Sequence, residues 1–201
     1  MLQMIKGAQV PNPEILNEGY ELSKETINYQ SIIMNINAPK IKKIFEEFIK
    51  RTQEDLFFIL EVPCNKKEKP LDENGNIFDL HSNIYYLDNL TQEKALSILN
   101  KYEELIEDGM VAFGFATHKP VNELMKYKYN VLNLISNDIK KYEKILKENN
   151  VPKVAELLTA WDTFSQEDNK YGESTLTCNI EKILEELKEE GLYFYKQTVT
   201  R

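Results

Sequence analysis

Arginine is nearly absent. Lysine and arginine total 25, and only Arg51 and Arg201 are arginines. The arginine fork is the preferred partner of phosphates and base edges. Its scarcity, with a formal net charge of −8, argues against a nucleic-acid partner and suits a basic protein partner. Cysteine is just as sparse. Cys64 and Cys178 form no CxxC pair, which removes a thiolate zinc site. Seven glycines leave little room for phosphate-cradling loops, and there is no P-loop, GxGxxG or nucleophile elbow. The two histidines, His81 and His118, lack a short-spaced ligand motif such as HExxH. No metal and no cofactor are therefore expected. No apolar run approaches a membrane span, and "MLQMIKGAQVPNPE" has no signal-peptide core. The expectation is a cytoplasmic protein with reduced thiols and no membrane partner.

What is present is a chain of 201 residues, 42% hydrophobic, able to bury a substantial core. Four segments carry apolar residues at helical period. They are Ile41, Ile44, Phe45, Phe48 and Ile49; then Ala95, Ile98, Leu99, Tyr102, Leu105 and Ile106; then Ile139, Tyr142, Ile145 and Leu146; then Ile180, Ile183, Leu184 and Leu187. These predict helices near 39–51, 91–107, 138–149 and 180–190. Asn37, Thr91, Asn137 and Asn179 stand where N-caps belong. Gly109 and Gly191 stand where a left-handed C′ residue belongs.

Strand-like runs fall between the helices, at 30–36, 55–62, 83–88, 110–117, 129–136, 155–164, 174–178 and 191–199. The order reads βαββαβ twice. The fold class predicted is α+β: two tandem ferredoxin-like halves, with antiparallel sheet and helices on one face. The boundaries are an N-terminal arm at 1–28, a first half at 29–118, a linker at 119–128 and a second half at 129–201, with one fused domain as the alternative. A short helix in "EILNEGYELSKE" is open within the arm.

The run "MVAFGFATHK" poses a question. Ala112, Gly114 and Ala116 share one strand face and are all small. Such a face suits close approach by protein, by a ligand or by a partner. Packing against protein is the expectation.

Candidate chemistry is thin. His118, Asp162 and Glu61 would be the residues of a small enzyme, if there is one. Trp161, the single tryptophan, reads as core or as an interface anchor. "LDENGNIFD" has its glycine at the fourth position from Asp72, which fits an Asn74-Gly75 turn better than a calcium loop. For a protein partner the expected contacts are acidic loops: Glu167, Asp168, Tyr171 and Glu173, and secondly Asp72 and Glu73.

"LTQEKALSILNKYEELIEDGMVAFGFATH", "KYNVLNLIS" and "TAWDTFS…GLYFY" resemble a loosely defined group of small cytosolic proteins from AT-rich Firmicutes. Proteins of this kind are similar to the immunity partners of polymorphic, contact-delivered toxins. The resemblance covers residues 83–195 and transfers no functional residue. It implies a non-catalytic module that binds and neutralises a basic toxin domain. Two alternatives stay open: a small-molecule-binding regulatory module with its site between the halves, and the small enzyme named above.

Overall fold

The computed structural model describes residues 1–23, 29–64, 81–165 and 170–199. The strands are β1 (Ala8–Gln9), β2 (Gly19–Leu22), β3 (Gln30–Asn35), β4 (Leu56–Pro63), β5 (His81–Leu90), β6 (Ala112–Thr117), β7 (Asn122–Lys126), β8 (Val131–Ser136), β9 (Glu173–Ser174) and β10 (Tyr193–Val199). The helices are α1 (Ala38–Arg51), α2 (Gln92–Lys101), α3 (Glu104–Glu107), α4 (Ile139–Glu148) and α5 (Ile180–Glu189). The class is α+β with a mostly antiparallel sheet.

The helices form where the period placed them, because each buries one apolar stripe. The stretch 91–107 breaks at Tyr102, whose ψ of 39° leaves the helical region, and yields α2 and α3. Thr91 and Asn179 cap as expected, accepting from the backbone N–H of Lys94 and Lys182 at 3.2 Å. Asn37 and Asn137 do not cap. Their Oδ1 atoms accept from the N–H of Gln3 and Val121, and Asp138 caps α4 instead. Gly191, at φ 107°, is the left-handed stop after α5. Gly109 serves a close approach: a Cβ there would lie 1.8 Å from the carbonyl oxygen of Gly7.

Eight strands form one sheet in the order β10-β5-β4-β6-β7-β8-β3-β2, with every neighbouring pair antiparallel. β1 and β9 pair separately. This is not the order of two ferredoxin-like halves. That order needs β3 between β5 and β6, but β4 holds that place and β3 lies beside β8. The cause is the stretch read as a linker. Residues 119–128 contain β7, which takes the free edge of β6 and leads into β8, so the sheet runs on without a break.

Two further strand expectations fail. Within 155–164 the structure forms a 3-10 turn, Ala160–Thr163, and within 174–178 only the end of the two-residue β9. The N-terminal stretch is more than an arm. Leu2, Ile5, Leu16 and Tyr20 are buried, β2 closes the sheet, and among the described residues a 3-10 turn at Pro13–Ile15 and β2 itself stand where a short helix was open.

All five helices pack on one face. Residues of each join Ile32, Met34, Leu56, Phe58, Leu60, Phe113, Phe115, Leu132 and Leu134 in the main core. Phe45 of α1 stacks on Phe113 of β6 at 5.0 Å. A second, smaller cluster lies on the other face: Phe57, Ile59, Ile84, Ala112, Ala116 and Met125. Among the described residues no helix contributes to it.

Candidate functional site: a groove on the helix-free face

Strand side chains alternate between faces, so the register spells out the helix-free surface. One row crosses all eight strands: Tyr193, Tyr86, Ile59, Gly114, Met125, Asn133, Ile33 and Glu21. A parallel row holds Lys196, Ile84, Glu61 and Ala112. Another holds Phe57, Ala116, Glu123, Ile135 and Ser31.

This settles what the small-residue face of β6 is for. Ala112 and Ala116 are 8% and 2% exposed, covered by neighbouring side chains of the same face. A Cβ on Gly114 would lie 2.4 Å from the Met125 sulfur and 2.2 Å from the Leu124 carbonyl oxygen. Glycine lets β7 and the Met125 side chain close over β6. The face is packed against protein, by its own sheet and not by a helix.

A groove of about 780 Å³ crosses this face. Ile33, Glu61, Ile84, Ala112 and Asn133 lie along it, with Lys196 and Thr198 toward the β10 edge and Tyr127, Lys128 and Trp161 at the other side. Local folding places that second wall. Tyr129 and Asn130 both take positive φ (57° and 64°) in the β7–β8 connection, which brings Lys128 to the groove. Asn130 holds the turn by donating to the carbonyls of Gln3 and Ile36 at 2.9 and 2.8 Å. Trp161 and Phe164 meet the Tyr129 ring edge-on, at 5.5 and 5.6 Å, and so dock the 160–164 segment beside it.

The face is chemically uneven. Burial raises the Glu61 carboxyl above its ordinary range, opposed by the Lys196 charge. Burial raises Glu123 as well, and the Glu61 charge raises it further. Burial, then Glu123 and Glu61, push the Tyr127 phenol up. Lys128 is lowered by burial alone.

The enzyme candidates do not converge. Glu61 is in the groove. His118 is exposed and stacks on Phe57 at 4.4 Å. Phe57 and Glu61 are four residues apart on β4, about 13 Å at strand rise. Asp162 caps its own turn: its carboxylate accepts from the Thr159 N–H and hydroxyl at 2.7 and 2.9 Å. The Cys64 thiol is buried; it donates to Asn83 Oδ1 at 3.6 Å and accepts from Gln197 Nε2 at 3.1 Å. Burial first, then the Asp108 charge, pushes the Cys178 thiol up to about 12, so it is an unreactive thiol. Among the described residues no three His, Cys, Asp or Glu side chains gather as metal ligands, and no helix is long and apolar enough to cross a membrane.

Of the expected partner contacts, Tyr171 is 54% exposed and Glu173 is exposed on β9. Glu167, Asp168, Asp72, Glu73 and the Asn74-Gly75 turn lie outside the described residues. Sequence reading missed Lys128 and Lys196 as groove residues. Alternation marks Tyr127 as facing opposite Lys126, but continued to Lys128 it would put that lysine with Lys126; β7 ends at Lys126, so the period carries no signal for Lys128. Compared with known proteins, the chain matches no family, no curated protein and no solved structure.

Proposed function

We propose that the protein is a non-catalytic binding module whose site is the groove on the helix-free face, and that the groove takes a small amphipathic molecule. The supporting observation is the groove itself. Its volume of about 780 Å³ lies in the range of small-molecule sites, and apolar walls carry a few polar groups with shifted pKa values. The groove spans strands from both stretches once read as halves, which keeps the regulatory-module reading while moving its site onto one continuous sheet. The test is a titration of the purified chain with N-phenyl-1-naphthylamine, a neutral apolar fluorophore. Saturable one-site binding that is lost in Asn133→Trp supports the reading. Binding that ignores Asn133→Trp removes the groove as the site.

A second reading has its own observation. β10 is an edge strand, and it shows Tyr193, Phe194 and Tyr195 at 43%, 55% and 51% exposure. Exposed aromatics on an open edge are interface anchors. With the net charge of −8 they support an immunity-type module that neutralises a basic toxin domain. Tyr171 and Glu173, with Glu167, Asp168, Asp72 and Glu73, remain its proposed loop contacts. Given a cognate partner, Phe194→Asp should weaken association at least tenfold. Glu167→Lys, Asp168→Lys and Glu173→Lys together should slow association and flatten its salt dependence. Unchanged kinetics in both variants would sink this reading.

A further inference from the structure

The groove has an unbalanced charge. Glu61 and Lys196 lie two strands apart in one cross-strand row and act on each other electrostatically. Lys128 has no such counterpart. It is half-buried, only burial acts on it, and among the described residues its ammonium has no ion pair or hydrogen bond. The composition makes this notable. The chain carries 33 acidic residues against 25 basic ones. Half-buried Lys40, by contrast, meets Glu18 at 2.6 Å, and half-buried Lys141 lies over the Tyr142 ring. A half-desolvated ammonium in an apolar wall is costly unless an anion joins it.

We infer that the groove is built for an anionic amphiphile, a small molecule with one carboxylate or sulfonate at Lys128 and an apolar body lying along the groove. Tyr127 and Val131 flank Lys128, and Trp161 offers a half-exposed indole face beside it. Ile33 and Ile84 continue the apolar floor. Electrostatic attraction at Lys128 sets the orientation, and burial of the body supplies the affinity. The inference rests on the small-molecule reading above and adds the sign of the ligand.

Two probes separate the two claims. 1-Anilinonaphthalene-8-sulfonate and N-phenyl-1-naphthylamine share a fused ring system and an aniline, and differ in the sulfonate. Both are titrated against the full chain, Lys128→Met, Lys128→Arg and Asn133→Trp, with thermal melts to show that each variant is folded. We expect Lys128→Met to weaken the sulfonate probe about tenfold, to move the neutral probe less than twofold, and Lys128→Arg to restore the sulfonate probe. If Lys128→Met shifts both probes equally, or neither, the anionic assignment is wrong while the groove stands as an apolar site. If Asn133→Trp leaves both probes bound, the groove is not the site and both claims fall.

Discussion

Lys126 and Lys128 are two residues apart and belong to opposite worlds. Lys126 points to the helix-covered side and is fully buried. Its ammonium donates to the carbonyls of Leu105, Asp108 and Val111, and so ties the end of α3 to the start of β6. Asp108 completes the node by accepting from the N–H groups of Met110, Val111, Thr177 and Cys178 at 2.6–3.1 Å. Both side chains have hydrogen-bond partners within the fold, although burial still lowers the Lys126 ammonium. On the helix-free side Lys128 has no protein partner among the described residues, and Glu61 and Glu123 are held above their ordinary range by burial. The covered face is a finished structure. The open face carries charges that the fold stabilises poorly, and that is where a ligand has something to add.

The largest test breaks the open face itself. Gly114→Leu drives a side chain into the Leu124 carbonyl and the Met125 sulfur. Because the first obstacle is backbone, strands β6 and β7 must part. The loss should exceed the ~1–3 kcal/mol usual for overpacking, and the variant should fail to express as folded protein or melt far below the parent. An unchanged melting temperature would show that the two strands do not approach as described.

Second in size is Lys126→Met. It removes a buried charge but leaves three buried carbonyls short of a donor, at a cost of about 2–3 kcal/mol near neutral pH. The pH dependence is distinctive. Burial lowers Lys126 to about 8 from the 10.5 of an unfolded lysine. Between these values the unfolded chain binds more protons, so the Lys126 contribution to stability rises with pH over that window. The gap between parent and Lys126→Met should therefore change slope between pH 8 and 10.5. A pH-independent gap would mean that Lys126 is not desolvated.

How much of this contrast could be read in advance depends on period. The helix stripes and β3, β4, β6, β8 and β10 were legible, because each repeats apolar residues at 3.6 or 2 over enough residues to be distinctive. β7 was not. Its five residues place Asn122 and Lys126 on the buried side, and a buried lysine reads as solvent-facing until its carbonyl partners are known. Losing β7 turned one sheet into two halves and put a linker where the strands join. The 155–164 stretch misled in the opposite direction. Its apolar run suggested a strand, but Tyr20 holds the preceding residues by backbone bonds to Pro152 and Val154, the Glu21 carboxylate accepts from the Leu157 N–H, and the Asn35 side chain donates to the Leu158 carbonyl, so it lies against β2 and β3 as a capping segment. The site was least legible of all, since a groove made from six strands and two turns leaves no contiguous motif.

A smaller test sharpens the charge argument. Glu123 sits in the row with Phe57, Ala116 and Ile135, with its carboxyl raised by burial and by Glu61. A raised folded-state value means that stability is greatest below the unfolded value and is lost as pH rises through the folded one. At pH 7 the ionised group is a liability. Glu123→Gln should raise the melting temperature by roughly 2 °C at pH 7, with the advantage gone near pH 4. A destabilised Gln variant at pH 7 would mean that Glu123 holds a cation.

The smallest effect separates structure from chemistry at Asp162. Its carboxylate closes a reciprocal cap with Thr159 at the start of the 3-10 turn, and the turn carries Trp161 to the groove wall. Cap removal is worth about 1 kcal/mol. Here part of that should appear locally, because the Tyr129 and Phe164 rings still hold the segment from the other side. Trp161 is the single tryptophan, so its fluorescence reports this turn alone. Asp162→Ala should shift the Trp161 emission to the red and increase its quenching by acrylamide, while the global melt falls only ~2–4 °C. Asp162→Asn keeps an acceptor for the Thr159 N–H and should recover most of the difference. If instead the alanine variant leaves Trp161 emission untouched, the cap does not position the wall, and the groove's aromatic side owes its place to the Tyr129 ring alone.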